Sequence, residues 1–277
     1  MTRTKLKLET QARLVVRSEK MESGLRIIAL IPVYNEESTL VSVLKEISPL
    51  VDFALVVDDG SSDRSLALAR EWASYQNHVE VLHLPQNRGM SSALREGFVR
   101  LAERLQSQEL DGEDLLLTLD ADGQHDPREI DELCDYMRTR NLDVALTRRD
   151  FSLYPFYKRL GNHLMTLWGS FWAGFRYHDV ESGFRGLRLK VLPHLLDYYT
   201  GYRYSCAQEI AVLTARLGFR IDNNFLTVIQ LYRSQTGMRD VIINGMFAFW
   251  ACARWLFQRK VERRPTLARA VVPSEPL

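Results

Sequence analysis

Cysteine is scarce in this sequence: three in 277 residues, Cys134, Cys206 and Cys252. They are odd in number, far apart and never spaced Cys-x-x-Cys, so neither a disulfide framework nor a cysteine zinc site is expected. Excess charge of one sign is lacking as well. Lys and Arg number 36 against 35 Asp and Glu, a net charge of +1, which argues against a generally basic nucleic-acid binder. Nowhere do 18 apolar residues run uninterrupted, so a spanning helix is not expected. Residues 1–24 mix basic and acidic side chains, and their longest apolar run, Leu14-Val15-Val16, is too short for a signal-peptide core. They read as a tail. Also missing are a Gly-x-Gly-x-x-Gly after the first strand and a Walker A lysine loop, which speaks against dinucleotide and P-loop sites.

What is present is a set of short, almost wholly apolar runs separated by helical patterns. Leu25 to Ile31, ending at Pro32, reads as a first strand, with a helix following to about Ile47. Phe53–Val57, Val79–Leu84, Leu115–Leu119 and Leu142–Thr147 read as four more strands. Between them, helices are expected around Leu66, Ala69 and Trp72, from Asn87-Arg-Gly89 to about Leu105, and from Pro127 to Arg138. This alternation predicts an α/β fold, a mostly parallel sheet with helices on both faces. In such sheets ligands bind at the carboxyl ends of the strands.

That rule places the acids. Pro32-Val-Tyr-Asn-Glu36, Asp58-Asp59 and Asp120-Ala-Asp122 each follow directly on a strand, so all three groups should share one rim. Asp126-Pro127 already supplies a helix cap and a first-turn proline, and Ser62 or Asp63 caps the helix after the second strand. Asp58, Asp59, Asp120 and Asp122 are then left without a local structural task. Two close carboxylates repel and raise one pKa. A divalent cation removes that penalty, and oxygen ligands with an amide nearby suit Mg²⁺ or Mn²⁺.

Taken in order, Pro32-Val-Tyr-Asn-Glu36, Val56-Val-Asp-Asp-Gly-Ser-Ser-Asp63, Asn87-Arg-Gly89, Asp120-Ala-Asp-Gly-Gln-His-Asp-Pro127 and Asp179-Val-Glu-Ser-Gly-Phe-Arg185 resemble the GT-A, family-2 glycosyltransferases. The likeness is strongest to the polyprenyl (dolichyl) phosphate sugar synthases, and it covers about 25–240. The resemblance implies a GT-A domain that inverts the sugar it transfers. Pro32, Tyr34, Glu36, Asp59, Asp120 and Ala121 would hold the donor, a GDP- or UDP-hexose, with Asp59 at the base edge. Asp120, Asp122 and Gln124 would hold the Mg²⁺ or Mn²⁺ that bridges its diphosphate. His125 is read as a residue behind the site or on the surface, not as a ligand. Arg149, Arg159, Ser182 and Arg185 would face an acceptor phosphate, and Arg233 would clamp the diphosphate. Asp179 and Glu209 are the base candidates if the acceptor is a hydroxyl. In one place the sequence departs from the family: Arg233-Ser-Gln-Thr-Gly-Met-Arg239 stands where Arg-x-x-Gly-x-Ser-Lys is usual.

Tyr154 to Tyr177 carries an apolar face, with Leu164, Leu167, Trp168, Phe171 and Trp172, that suits either a core or a lipid surface. Residues 241–264 combine aromatic side chains with Arg254, Arg259, Lys260, Arg263 and Arg264, the composition of a helix lying on an anionic membrane. Residues 265–277 read as a disordered tail. The expected enzyme is cytoplasmic and peripheral on the inner membrane face, moving a hexose from a nucleotide-sugar to a polyprenyl phosphate. Two other readings remain open: a family-2 transferase acting on a hydroxyl, and a nucleotide-sugar-binding protein without turnover.

Overall fold

A computed structural model describes residues 24–151, 154, 156–203, 205–227, 246–247 and 249–257. Arg233, the Met238-Arg239 departure, most of the proposed tails and part of the 241–264 segment lie outside them.

Each expected strand forms. β1 (Ile27–Val33), β2 (Phe53–Asp58), β3 (Val79–His83) and β4 (Leu115–Thr118) pair in parallel in the order β3-β2-β1-β4. β5 (Val144–Leu146) follows, and the short β6 (Arg148–Arg149) leaves the main sheet at once. β1 does not end at Pro32. It runs to Val33, pairing Pro32 with Val57 of β2. On its other side β4 leaves β1 at Leu30, whose carbonyl accepts the amide of Leu119, so a proline without an N–H costs no ladder bond there.

The sequence pattern did not foresee how β7 (Arg185–Arg188) enters. It lies antiparallel between β4 and β5, with Thr118 opposite Arg185 and Leu146 opposite Arg185. Because it runs backwards, its first residue stands at the rim where β4 and β5 finish. β8 (Ile221–Asp222) closes the seven-stranded sheet, and β9 (Leu226–Thr227) pairs with β6 in a two-stranded one.

Alternate side chains of each strand serve opposite faces. Ile27, Ala29 and Ile31 pack with α1 (Leu40–Ile47), α2 (Ser65–Tyr75) and α4 (Glu129–Thr139). Ile28 and Leu30 pack with α3 (Met90–Gln106), α6 (Val191–Leu196) and α7 (Cys206–Arg216). Both faces are covered, which is why the strands read as unbroken apolar runs. α5 (Phe156–Ala173) lies against α7, where Gly169 lets the Gln208 side chain come close. Residues 249–257 form a further helix.

Candidate active site

The three acidic groups share one rim, and hydrogen bonds between their loops fix them there. Asn35, at a left-handed φ of 56°, accepts the Ser62 amide at 2.8 Å, and its own amide donates to Ser61 Oγ at 3.0 Å. The Glu36 amide donates to Ser65 Oγ. Asp63 Oδ1 accepts the amide of Ser65, the first residue of α2, and so caps as expected. Tyr34 is left exposed beside this lattice.

Asp59 is buried, and its two oxygens accept the amides of Arg88 at 2.9 Å and Gly89 at 2.7 Å. It therefore ties the Asn87-Arg-Gly89 turn to the rim. Burial raises its carboxyl above the usual range, and these two amides offset part of the rise.

Glu36, Asp120 and Asp122 form one negative field. Burial first, then the nearness of Asp120, raises the Asp122 carboxyl. Burial also raises Glu36, with Asp122 and Asp120 adding to it against a hydrogen bond from Thr39. Burial would raise Asp120 too, but His125 and the guanidinium groups of Arg185 and Arg149 outweigh it and the net shift is downward. His125 is mostly buried, Nε2 3.4 Å from Asp120 Oδ2, with its ring against Phe184. That agrees with a residue backing the carboxylate. Gly183 is required for this approach, since a Cβ there would stand 2.2 Å from Asp120 Oδ2.

A cluster in which Asp120 raises the Asp122 carboxyl and both raise Glu36 fits a divalent cation. Among the described residues no group of three or more His, Cys, Asp or Glu side chains is placed to hold a metal unaided. The expected donors Asp120, Asp122 and Gln124 lie on one turn, where the Gln124 backbone N–H donates to Asp122 Oδ1 at 3.0 Å.

Arg149 and Arg185 stand near enough to act on the Asp120 carboxylate. Arg149 grips Asp179 with two hydrogen bonds, Nε to Oδ2 at 2.8 Å and Nη2 to Oδ1 at 3.0 Å, while Nη2 also reaches Asn162 of α5 at 2.7 Å. Its Nη1 makes no hydrogen bond among the described residues. Arg185 is only 3% exposed, yet its guanidinium makes no ion pair among the described residues. Arg159 is exposed on α5, one turn from Asn162.

Three expectations need correction. Asp179 is wholly buried and gripped by Arg149, and although burial raises its carboxyl, Arg149 brings it below the usual range. It is too weakly basic and too enclosed to take a proton. Glu209 is wholly buried too, accepting Thr200 and Ser205 hydroxyls and the Thr200 amide. Ser182 is 2% exposed, its hydroxyl bonded to Thr147 at 2.7 Å, so it shapes the loop and does not reach an acceptor.

Sequence reasoning passed over Glu181. It is half-buried, with Oε1 held by Gln208 Nε2 at 2.6 Å and no hydrogen bond to Oε2 among the described residues. Burial raises its carboxyl, offset by Gln208 and Arg149. Its place inside Asp179-Val-Glu-Ser-Gly-Phe-Arg185 was the available signal.

The profile of "Glycosyl transferase family 2" matches residues 28–210. The chain is 31% identical over 262 residues to the polyprenol monophosphomannose synthase of Mycolicibacterium smegmatis, covering 89% of this chain and 91% of that one. It is 27% identical over 241 residues to the undecaprenyl-phosphate mannosyltransferase of Micrococcus luteus, with 83% and 96% covered. Among solved structures it is similar in fold to glucosyl-3-phosphoglycerate synthase from Mycobacterium tuberculosis, in complex with Mn²⁺, uridine-diphosphate and phosphoglyceric acid. There the TM-score is 0.59, the identity 18%, and the match covers 84% of this chain and 80% of that one.

Proposed function

The chain belongs to glycosyl transferase family 2, and from that premise we propose that it moves a hexose, with inversion, from a GDP- or UDP-hexose to a polyprenyl (dolichyl or undecaprenyl) phosphate at the cytoplasmic face of a membrane. The observation that carries this reading is Arg185, a nearly buried guanidinium near the Asp120 carboxylate that makes no ion pair among the described residues. A buried charge needs a partner, and an acceptor phosphate supplies one. Two relatives that match over most of the chain carry names of prenyl-phosphate mannosyl transfer.

In this reading Pro32, Tyr34, Glu36, Asp59, Asp120 and Ala121 surround the nucleotide-sugar. Asp120, Asp122 and Gln124 would hold Mg²⁺ or Mn²⁺, which when bound neutralises the departing diphosphate. Arg185, the open Nη1 of Arg149, and Arg159 hold the acceptor phosphate. One phosphate oxygen attacks the anomeric carbon from the face opposite the diphosphate. The new bond is C1–O–P, and the old C1–O bond leaves with the nucleoside diphosphate. A phosphate oxygen ionised at neutral pH needs no base, consistent with the enclosure of Asp179 and Glu209. Arg185→Ala is expected to raise the acceptor KM or lower kcat by about tenfold to a hundredfold, the loss of a charge-assisted hydrogen bond. Donor affinity measured by calorimetry should stay within about threefold. A donor defect with an unchanged acceptor KM contradicts the assignment.

One observation favours the hydroxyl-directed reading: Glu181 offers an open oxygen and a raised pKa, as a general base requires. The two readings differ in Glu181→Gln. Transfer to phosphate should fall by less than about tenfold, whereas transfer to a hydroxyl should fall by about a hundredfold or more and lose its acid limb.

A further inference from the structure

We propose that Arg203 is a further donor-binding residue: the loop at 199–203 presents its guanidinium at the rim to the diphosphate of the nucleotide-sugar. The proposal rests on the nucleotide-sugar reading for its ligand. Three observations carry it: the backbone at Arg203, the bonds that brace it, and a guanidinium left without a partner.

Arg203 adopts a φ of 46°, in the left-handed region that long side chains rarely occupy. A backbone strained in this way persists where its surroundings over-determine it, and such residues cluster at binding sites. The surroundings here are explicit. The Arg203 carbonyl accepts the Ser91 amide at 2.7 Å, and Ser91 Oγ accepts the Cys206 amide at 2.8 Å. Tyr199 Oη donates to the Ser91 carbonyl at 3.2 Å. Glu209, wholly buried, closes the loop on itself: its carboxylate accepts the Thr200 amide at 2.6 Å, the Thr200 hydroxyl, and the Ser205 hydroxyl at 2.5 Å. The residues flanking Arg203 are held as well. The Tyr202 ring stacks on Phe247 with centroids 4.9 Å apart, and Arg254 Nη1 donates to the Tyr198 carbonyl at 2.6 Å.

The loop lies where the donor is expected. A Cβ at Gly89 would stand 2.7 Å from the Arg203 Cα, so the two backbones are in contact. The Gly89 amide is one of the two that Asp59 holds. After the loop, Cys206 stands near enough to Arg185, Asp120 and Glu181 to feel their charge. The loop thus runs from the turn that Asp59 ties down towards the Asp120 carboxylate.

The Arg203 side chain is exposed and makes no ion pair or hydrogen bond among the described residues. Glycine would make the same backbone contacts without strain, so what arginine adds at this position is its guanidinium. Of the parts of a nucleotide-sugar, only the diphosphate carries charge, and its oxygens match the planar fork of an arginine.

The test is calorimetry of the full chain with UDP and with GDP in the presence of Mn²⁺. Arg203→Gly should weaken whichever diphosphate wild type binds by about tenfold or more, the loss of a charge-assisted contact. Its ligand-free thermal midpoint should stay within about 3 °C of wild type, because released strain offsets the added freedom of the unfolded chain. Arg203→Lys should recover part of the affinity, since it restores charge without the fork. Rising salt should weaken wild type more steeply than the glycine variant. Diphosphate affinity of Arg203→Gly within about twofold of wild type overturns the proposal. So does a lost affinity that comes with a lowered midpoint and that lysine does not recover, the mark of a merely structural residue. Wild type that binds neither UDP nor GDP removes the nucleotide-sugar reading itself, a failure distinct from a variant that binds as wild type does.

Discussion

Arg149→Ala should abolish transfer and lower the stability of the fold by about 3–5 kcal/mol, the cost of removing one partner from a buried ion pair. Asp179 would keep its charge at 0% exposure with its main counter-ion gone. For a domain of this size that is a fall of about 10 °C in the thermal midpoint. The pH dependence gives a sharper check. In the native protein Arg149 holds the Asp179 carboxyl below its usual range. The stabilisation is therefore complete above the unfolded carboxyl pKa and is lost as pH falls through the lowered folded value. Without Arg149, burial dominates and the folded pKa rises, so the sign reverses. The variant should gain stability, relative to its own value at pH 7, as pH falls towards 5. Denaturant midpoints across that range measure both slopes. Lysine at 149 should recover part of the stability, because it restores charge but not the two-pronged grip on Asp179.

Asp122→Ala should separate activity from stability in the opposite way. Asp122 is half-buried and is repelled by Asp120, which together with burial raises its carboxyl. A carboxyl with a raised folded pKa favours the fold at low pH and opposes it as pH climbs through that value. Its removal should therefore leave the thermal midpoint at pH 7 unchanged or higher. Transfer should drop by about a hundredfold or more, roughly 3 kcal/mol in the barrier, if Asp122 is one of the few oxygens holding the cation. Chelation of wild type should reproduce the loss of rate, and Mn²⁺ or Mg²⁺ should restore it in wild type but not in the variant. Normal turnover by the variant, or indifference of wild type to chelator, removes the metal from the account.

The rim was legible in the sequence because strand length and abrupt acidic ends are local features. Leu115 to Leu119 stops at Asp120, and Phe53 to Val57 stops at Asp58, wherever the strands lie in the sheet. The antiparallel insertion of β7 was not legible, since four residues, Arg185–Arg188, carry no sign of which neighbours they join. That insertion brings Arg185 to the acids. The partners of the buried polar groups were hidden for a related reason. Arg149 and Asp179 are 30 residues apart, and Thr147 and Ser182 are 35 apart. Asp179 looked like a base by position and proved to be a counter-ion. Glu181, two residues on, has the open oxygen instead. The α5 stripe was ambiguous as a pattern, because a buried face and a lipid-facing face share one composition. The exposure of Leu164 and Phe171 decides it against the core.

Transfer of a hexose to a prenyl phosphate is read directly in one assay. Purified protein is incubated with each radiolabelled GDP- or UDP-hexose, polyprenyl phosphate and Mn²⁺ or Mg²⁺, and label is counted in the organic phase. Label should enter that phase with one donor and be lost on chelation or when the acceptor phosphate is removed. The contradicting result is no organic-phase label with any donor, together with efficient transfer to the free hydroxyl of a sugar or glycolipid.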